Sequence, residues 1–300
     1  MNLRRALPLA ALIGLLAAGC SGPAEETTVS EARTVSHAHG TTEVPAEPER
    51  VVVLEPVQLD TTVALGAIPV GAAVLSEAAG VPAYLKPEAD AVASVGTVQA
   101  PNLERIAALR PDLVLGTESR HAELYDQLSA IAPTVFMANH ADPWQDNVRF
   151  VGQTLGREAD AQRLLDDFTA RCAEVAQEYG TAGRTAQLVR PRDGQLTLYG
   201  PTSFAGSTLE CAGFTTPPRD WENSISVDLS PELVLEARAD LVVVTAAKAG
   251  DESVIPPEMS AVREQSFPNL HVVDQSFWIT GVGPLGGQAV LDDIERLLST

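Results

Sequence analysis

Asn102–Leu115 reads NLERIAALRPDLVL, and a second stretch, Ser230–Val243, reads SPELVLEARADLVV. In the first, Asn102 stands where a helix cap belongs, and Leu103, Ile106, Ala107 and Leu109 share a helical face. Pro111 ends that helix before the strand Leu113–Leu115. The second stretch keeps the order: Glu104 matches Glu232, and Asp112, Leu113 and Val114 match Asp240, Leu241 and Val242. A helix-then-strand unit occurring twice predicts two similar halves.

Around the first copy, strand and helix signals alternate. VVVLEP from Val51 is a β-branched run ended by proline, as suits a parallel strand buried on both faces. LDTTVALG from Leu59 is a helix stopped at Gly66, IPVGAAV from Ile68 a strand, Ala122 to Ile131 a helix, and APTVFM from Ala132 a strand. Such alternation predicts a parallel sheet. From about Trp144 to Tyr179 the pattern is helical only, with Gly152, Gly156 and Gly180 as punctuation; Glu158 to Tyr179 is long enough to bridge two lobes at roughly 33 Å. Alternation then resumes with the strand TAQLVR, the helix SFAGSTLECAGF, the second copy, the strand HVVD and the helix GQAVLDDIERLL. The expected organisation is a first lobe over 46–142, connecting helices over 143–181 and a second lobe over 182–300. Ligand belongs in the cleft between the lobes, outside the carboxyl ends of the strands.

The N-terminus assigns a compartment. Arg4 and Arg5 precede an apolar run, Ala6 to Ala18, too short to span about 30 Å of hydrocarbon, so residues 1–20 read as a signal peptide. LLAAGC, ending at Cys20, resembles a bacterial lipobox, with Ala17 where leucine is usual; it makes Cys20 the expected lipidation site and anchors the chain outside the cytoplasm, at the cell membrane. Residues 21–45 read as a flexible tether. Cys172 and Cys211 are then an even pair in an oxidising compartment, either a disulfide or two buried thiols. Forty Asp and Glu against 20 Lys and Arg give a net charge of −20, which repels nucleic acid.

Catalytic signatures are sparse. GVGPLG, Gly281–Gly286, matches a dinucleotide fingerprint, but the strand and acidic residue that should follow have no room before Thr300. No Gly-x-Ser-x-Gly elbow occurs, and no carboxylate pair stands out as acid and base, so the chain reads as a binder and not an enzyme. His37 and His39 are spaced like metal ligands on a strand but lie at the edge of the tether; His121, His140 and His271 are scattered, and no protein-ligated metal or resident cofactor is expected.

The chain resembles the solute-binding lipoproteins of bacterial iron-siderophore ABC importers. The resemblance rests on the Cys20 lipobox, on HAHGTTEVPAEPERVVVLEPVQLDTTVALGAIPVG from His37, on VGTVQAPNLERIAALRPDLVLG from Val95, on IAPTV at Ile131, and on LYGPTSFAGSTLECAGF from Leu198. It implies an α/β fold of two Rossmann-like lobes with parallel sheets joined by a single long helix, working as a monomer. It also implies that Glu104 and Glu232 meet the two permease subunits, although an acid in a first helical turn also simply favours the helix dipole. A siderophore fills the coordination positions of its iron, so the protein must grip organic arms with aromatic and arginine side chains. Arg120 in the first lobe, and Arg190, Arg192, Tyr199, Trp221 and Trp278 in the second, are the candidates. Hydroxamate binders of this group can carry an arginine before the helix start, where this chain has Val98, Gln99 and Ala100, so the second lobe is expected to carry more of the recognition. The acidic surface favours a ferric hydroxamate of the ferrioxamine type. A catecholate, citrate, haem or cobalamin cargo and an exported hydrolase are the alternatives.

Overall fold

The structure, a computed structural model describing residues 32–221 and 224–299, explains why one pattern occurs twice. Asp112 accepts the backbone N–H groups of Glu49 and Arg50 at 2.8 and 2.9 Å. Asp240, its counterpart, accepts the N–H and hydroxyl of Thr185 at 2.7 and 2.9 Å. Each aspartate closes the helix-to-strand corner onto the start of the strand beside it, so the repeated Asp-Leu-Val sets sheet register in both lobes. The signal peptide, Cys20 and the tether up to Glu31 lie outside the described residues.

The first lobe begins with a hairpin, β1 (Ala32–His37) and β2 (Gly40–Pro45), where a tether was expected to run to residue 45. The expectation fails there because Val35 and Val44 are buried against the lobe and Arg33 donates to the carbonyls of Gln153 and Thr154 at 3.1 and 2.8 Å. Then follow β3 (Val51–Val53), α1 (Pro56–Ala64), β4 (Gly71–Val74), β5 (Ala93–Thr97), β6 (Ala100–Pro101), α2 (Leu103–Ala108), β7 (Leu113–Thr117), α3 (Glu118–His121), α4 (Tyr125–Ser129) and β8 (Thr134–Met137). The sheet order is β6-β5-β4-β3-β7-β8, parallel throughout except for the short edge strand β6.

Two helices lead to the second lobe. α5 (Trp144–Leu155) runs through Gly152, expected to punctuate it, and ends at the left-handed Gly156; α6 (Glu158–Tyr179) is the expected 22-residue strut, ended by Gly180. Its buried residues Ala161, Leu165, Phe168, Cys172 and Val175 recur every three or four positions, a single apolar stripe. Cys172 is disulfide-bonded to Cys211 with a Cα–Cα distance of 5.4 Å, stapling the strut to the next helix of the second lobe.

The second lobe contains β9 (Ala186–Arg192), β10 (Gln195–Tyr199), α7 (Phe204–Cys211), β11 (Ser226–Leu229), β12 (Leu241–Ala246), α8 (Pro257–Ala261), α9 (Arg263–Ser266), β13 (Leu270–Asp274), α10 (Gln275–Trp278) and α11 (Pro284–Leu298). Its sheet, ordered β11-β10-β9-β12-β13, departs from the all-parallel expectation. β9 and β10 form an antiparallel hairpin across Asp193-Gly194, both at positive φ, an Asp-Gly turn flanked by strand residues. The second copy of the repeated helix is also altered: Pro231–Ala237 is a 3-10 helix with a kink at Leu233.

Both sheets are buried on both faces, which is why their strands read as unbroken apolar runs. Val53, Leu115 and Val243 face inward, into one continuous core shared with Val148, Phe168 and Ile294. Val52, Val114 and Phe136 face a separate outer layer on the first sheet, and Val189, Val242 and Phe267 one on the second.

Candidate functional site

The residues that follow strand carboxyl ends in both lobes converge on one cavity of about 650 Å³. Glu55 follows β3, Leu75 follows β4, Arg120 follows β7 and His140 follows β8; from the other lobe come Arg190 and Tyr199 on β9 and β10, Ala247 after β12 and Asp274 at the end of β13. This is where open α/β sheets leave a crevice.

Of the sequence candidates, Arg120, Arg190 and Tyr199 line the cavity. The Arg190 guanidinium has no ion-pair or hydrogen-bond partner among the described residues. Arg120 Nε lies 3.3 Å from Glu55 Oε1. Trp278 reaches the cavity wall but is fully buried, its indole N–H donating to Asp293 Oδ2 at 2.8 Å, so it is core rather than an exposed stacking face. Two candidates lie elsewhere. Arg192 turns along the sheet to Thr197 Oγ1 at 3.1 Å and Asp228 at 3.8 Å, and Trp221 packs on Gly200 under the Arg219 guanidinium, in the outer layer of the second sheet. Trp144 begins α5 as expected and also walls the cavity, its ring edge-on to Phe168 and Phe204.

Glu55 was missed from sequence, although it sits at the end of the VVVLEP run, where the strand-end rule points. It is 2 % exposed, and its Oε1 has no hydrogen-bond partner. Burial pushes its carboxyl up to about 7, against the opposing pull of the Arg120 charge and the Thr117 hydroxyl. His140, dismissed as scattered, lines the same wall, and burial and Arg120 hold its imidazole below the usual range.

The other histidines have structural partners. His39 stacks on Tyr125 at 3.9 Å and bonds Glu118 Oε2 at 2.9 Å, and His37 Nε2 lies 2.9 Å from the Thr42 hydroxyl, so the pair fastens the hairpin. His121 accepts the Thr117 N–H and reaches the Val98 carbonyl at 2.8 Å. Among the described residues no group of three or more His, Cys, Asp or Glu is placed to hold a metal ion.

The glycine-rich GVGPLG does hold an anion, but one of the protein's own. Asp60, on α1 of the first lobe, accepts the N–H groups of Leu285 and Gly286 at 2.9 and 2.8 Å, in the first turn of α11. Gly283, at φ +147, leaves no room for a side chain beside that carboxylate: a Cβ there would come within 2.4 Å of Asp60 Oδ1. Tyr84 donates its hydroxyl to Asp60 at 2.9 Å, and complete burial pushes the acid up to about 7 despite these three donors.

Glu104 and Glu232 are both exposed, each in the first turn that leaves the carboxyl edge of its sheet. In α2 the cap is Asn102, whose side chain accepts the Arg105 N–H at 3.0 Å; Ser230 makes no such bond.

The family described as Periplasmic binding protein matches residues 51–263, most of both lobes. The chain belongs to that family. Among curated relatives, this periplasmic binding protein is 32% identical over 292 residues to the probable siderophore-binding lipoprotein YfiY of Bacillus subtilis, covering 90% of this chain and 89% of that one. It is 34% identical over 193 residues to the Fe(3+) dicitrate-binding periplasmic protein FecB of Escherichia coli, covering 62% and 63%. Among solved structures, Staphylococcus aureus SirA complexed with staphyloferrin B aligns with a TM-score of 0.74 at 28% identity, over 89% of this periplasmic binding protein and 98% of that chain.

Proposed function

We propose that the chain is an extracytoplasmic receptor, anchored to the cell membrane through a lipid on Cys20, that holds a ferric siderophore between its lobes and passes it unchanged to an ABC importer. The observation that carries this reading is the cavity between the sheets, with one arginine on each wall, Arg120 and Arg190. A guanidinium donates in a planar fork to paired oxygen acceptors, and chelate arms are rich in these. The names of relatives support iron chelates as the class: a siderophore, ferric dicitrate and staphyloferrin B.

Within that class the two arginines lining the cavity favour a ferric complex with carboxylate arms. A second reading, the ferric hydroxamate expected from sequence, has its own support, because Asp142 and Asp274 also line the cavity and suit a neutral or cationic ferrioxamine. Glu104 and Glu232 supply one acid per lobe for two permease subunits, and their exposure on the carboxyl edges supports that assignment.

Tryptophan quenching with ferric citrate, ferric staphyloferrin B, ferrioxamine B and haem tests the reading. Saturable binding of a ferric chelate, with the chelate recovered intact, is expected; tight binding of haem alone would overturn it. Citrate-type complexes winning over ferrioxamine B decides for carboxylate arms, and the reverse order for hydroxamate.

A further inference from the structure

Glu55 is a buried acid in the cavity wall. Its Oε1 faces Arg120 at 3.3 Å without a hydrogen bond. As the N-cap of α1 the carboxylate takes the Gln58 N–H, but Arg120 is the one full positive charge facing it, and desolvation otherwise favours the neutral acid. Arg120 is only partly committed: its side chain is a quarter exposed, it lines the cavity, and its 3.3 Å contact is an ion pair rather than a bidentate fork. The other charged and titratable groups of the cavity wall are His140, Asp142, Arg190 and Asp274. Asp274 accepts the Ser276 N–H at 2.7 Å, and Arg190 lies on the opposite lobe.

We infer that Glu55 is a positioning residue that Arg120 exchanges for the anionic arm of the cargo, so that capture of the chelate is accompanied by uptake of one proton at Glu55. The inference rests on the reading that a ferric chelate with anionic arms binds in this cavity. When Arg120 swings to a cargo oxygen, Glu55 loses its counter-charge and gains a negative neighbour. Solvent then supplies a proton to the carboxylate while Arg120 keeps its own. Burial already sets this carboxyl at about 7, so little is needed to tip it. The exchange favours anionic complexes, since a cationic complex offers Arg120 no oxygen anion to take and leaves the Glu55–Arg120 pair in place.

The test is calorimetric titration of the whole protein with ferric citrate between pH 7 and 8.5, in two buffers of different ionisation enthalpy, comparing wild type with Glu55→Gln. Wild type should take up about half a proton per bound complex at pH 7, rising towards one by pH 8.5, with affinity falling towards tenfold per pH unit; the variant should show neither beyond what the citrate complex itself contributes. Should Glu55→Gln fail to fold, Arg120→Gln serves, because removing the counter-charge leaves Glu55 already protonated and abolishes the uptake. Equal proton counts in wild type and variants, or net proton release, would overturn the exchange while leaving the cavity as the binding site. Failure of wild type to bind any chelate of the panel would remove the binding reading, and the exchange with it.

Discussion

At the scale of single residues, direction decides. Arg190 and Arg192 are two apart on β9, yet Arg190 faces the cavity with no counter-ion among the described residues, while Arg192 is spent on Thr197 and Asp228. Arg190→Gln should therefore weaken binding of the best ferric chelate by about 10- to 100-fold, the value of one or two charge-assisted hydrogen bonds. Arg192→Gln should change it less than about twofold, the usual return of an exposed pair, with fluorescence titration as the measurement for both. The strand-end rule made Arg120 and Arg190 legible in the sequence, whereas Tyr199 reaches the cavity from antiparallel β10, level with Leu188. The same rule covers Glu55, which ends the VVVLEP run, but its burial is a tertiary property that the run does not show. What sequence could not supply is tertiary packing: Trp221 and Trp278 are near the right strand ends, but apolar surface was available to cover them, and it did.

At the scale of elements, the alternation was readable because strands buried on both faces leave unbroken apolar runs and helices end at Gly66, Gly156 and Gly180. The β9–β10 hairpin was not read, although its Asp-Gly turn was in view, because a parallel pattern elsewhere overrode a local signal. The contact least visible from sequence is the capping of α11 by Asp60, whose partners lie 225 and 226 positions away. Asp60→Ala leaves two first-turn N–H groups and the Tyr84 hydroxyl buried without an acceptor. It should destabilise the protein by about 2–4 kcal/mol in urea unfolding and speed amide exchange in the first turn of α11. The Cys172–Cys211 bond closes a loop of sequence separation 39 between the strut and α7. Replacing both cysteines with serine should cost about 2–4 kcal/mol by the loop-entropy argument, in the same unfolding assay.

For the whole molecule, the two lobes share one core, so the ionisation of a few buried acids bears on the entire fold. Glu55 and Asp60 are each raised to about 7 from ordinary values of 4.5 and 3.8. A raised acid contributes its stability in full below its unfolded value, and that contribution drains away as pH climbs to the folded value; both groups thus weaken the fold between about pH 4 and 7. Asp160, Asp240 and Asp251 are lowered instead, and their contribution is lost only when pH falls below the ordinary carboxylate range. A net charge of −20 adds self-repulsion on the alkaline side. The raised acids and the net charge place maximum stability on the acid side of neutrality, while the lowered aspartates, and His37, His121, His140 and His271, whose imidazoles burial holds below the usual range, keep it from moving far into acid. The melting temperature of the cargo-free protein should fall by about 5–10 °C between pH 5.5 and 8, since roughly 2 kcal/mol per buried acid is lost over that range and each kcal/mol is worth about 2 °C in a chain this size. Glu55→Gln should melt higher than wild type at pH 8 and converge with it near pH 5. A wild-type profile rising towards pH 8, or a Glu55→Gln difference that does not vary with pH, would show that the carboxyl is ionised and well solvated in the folded protein.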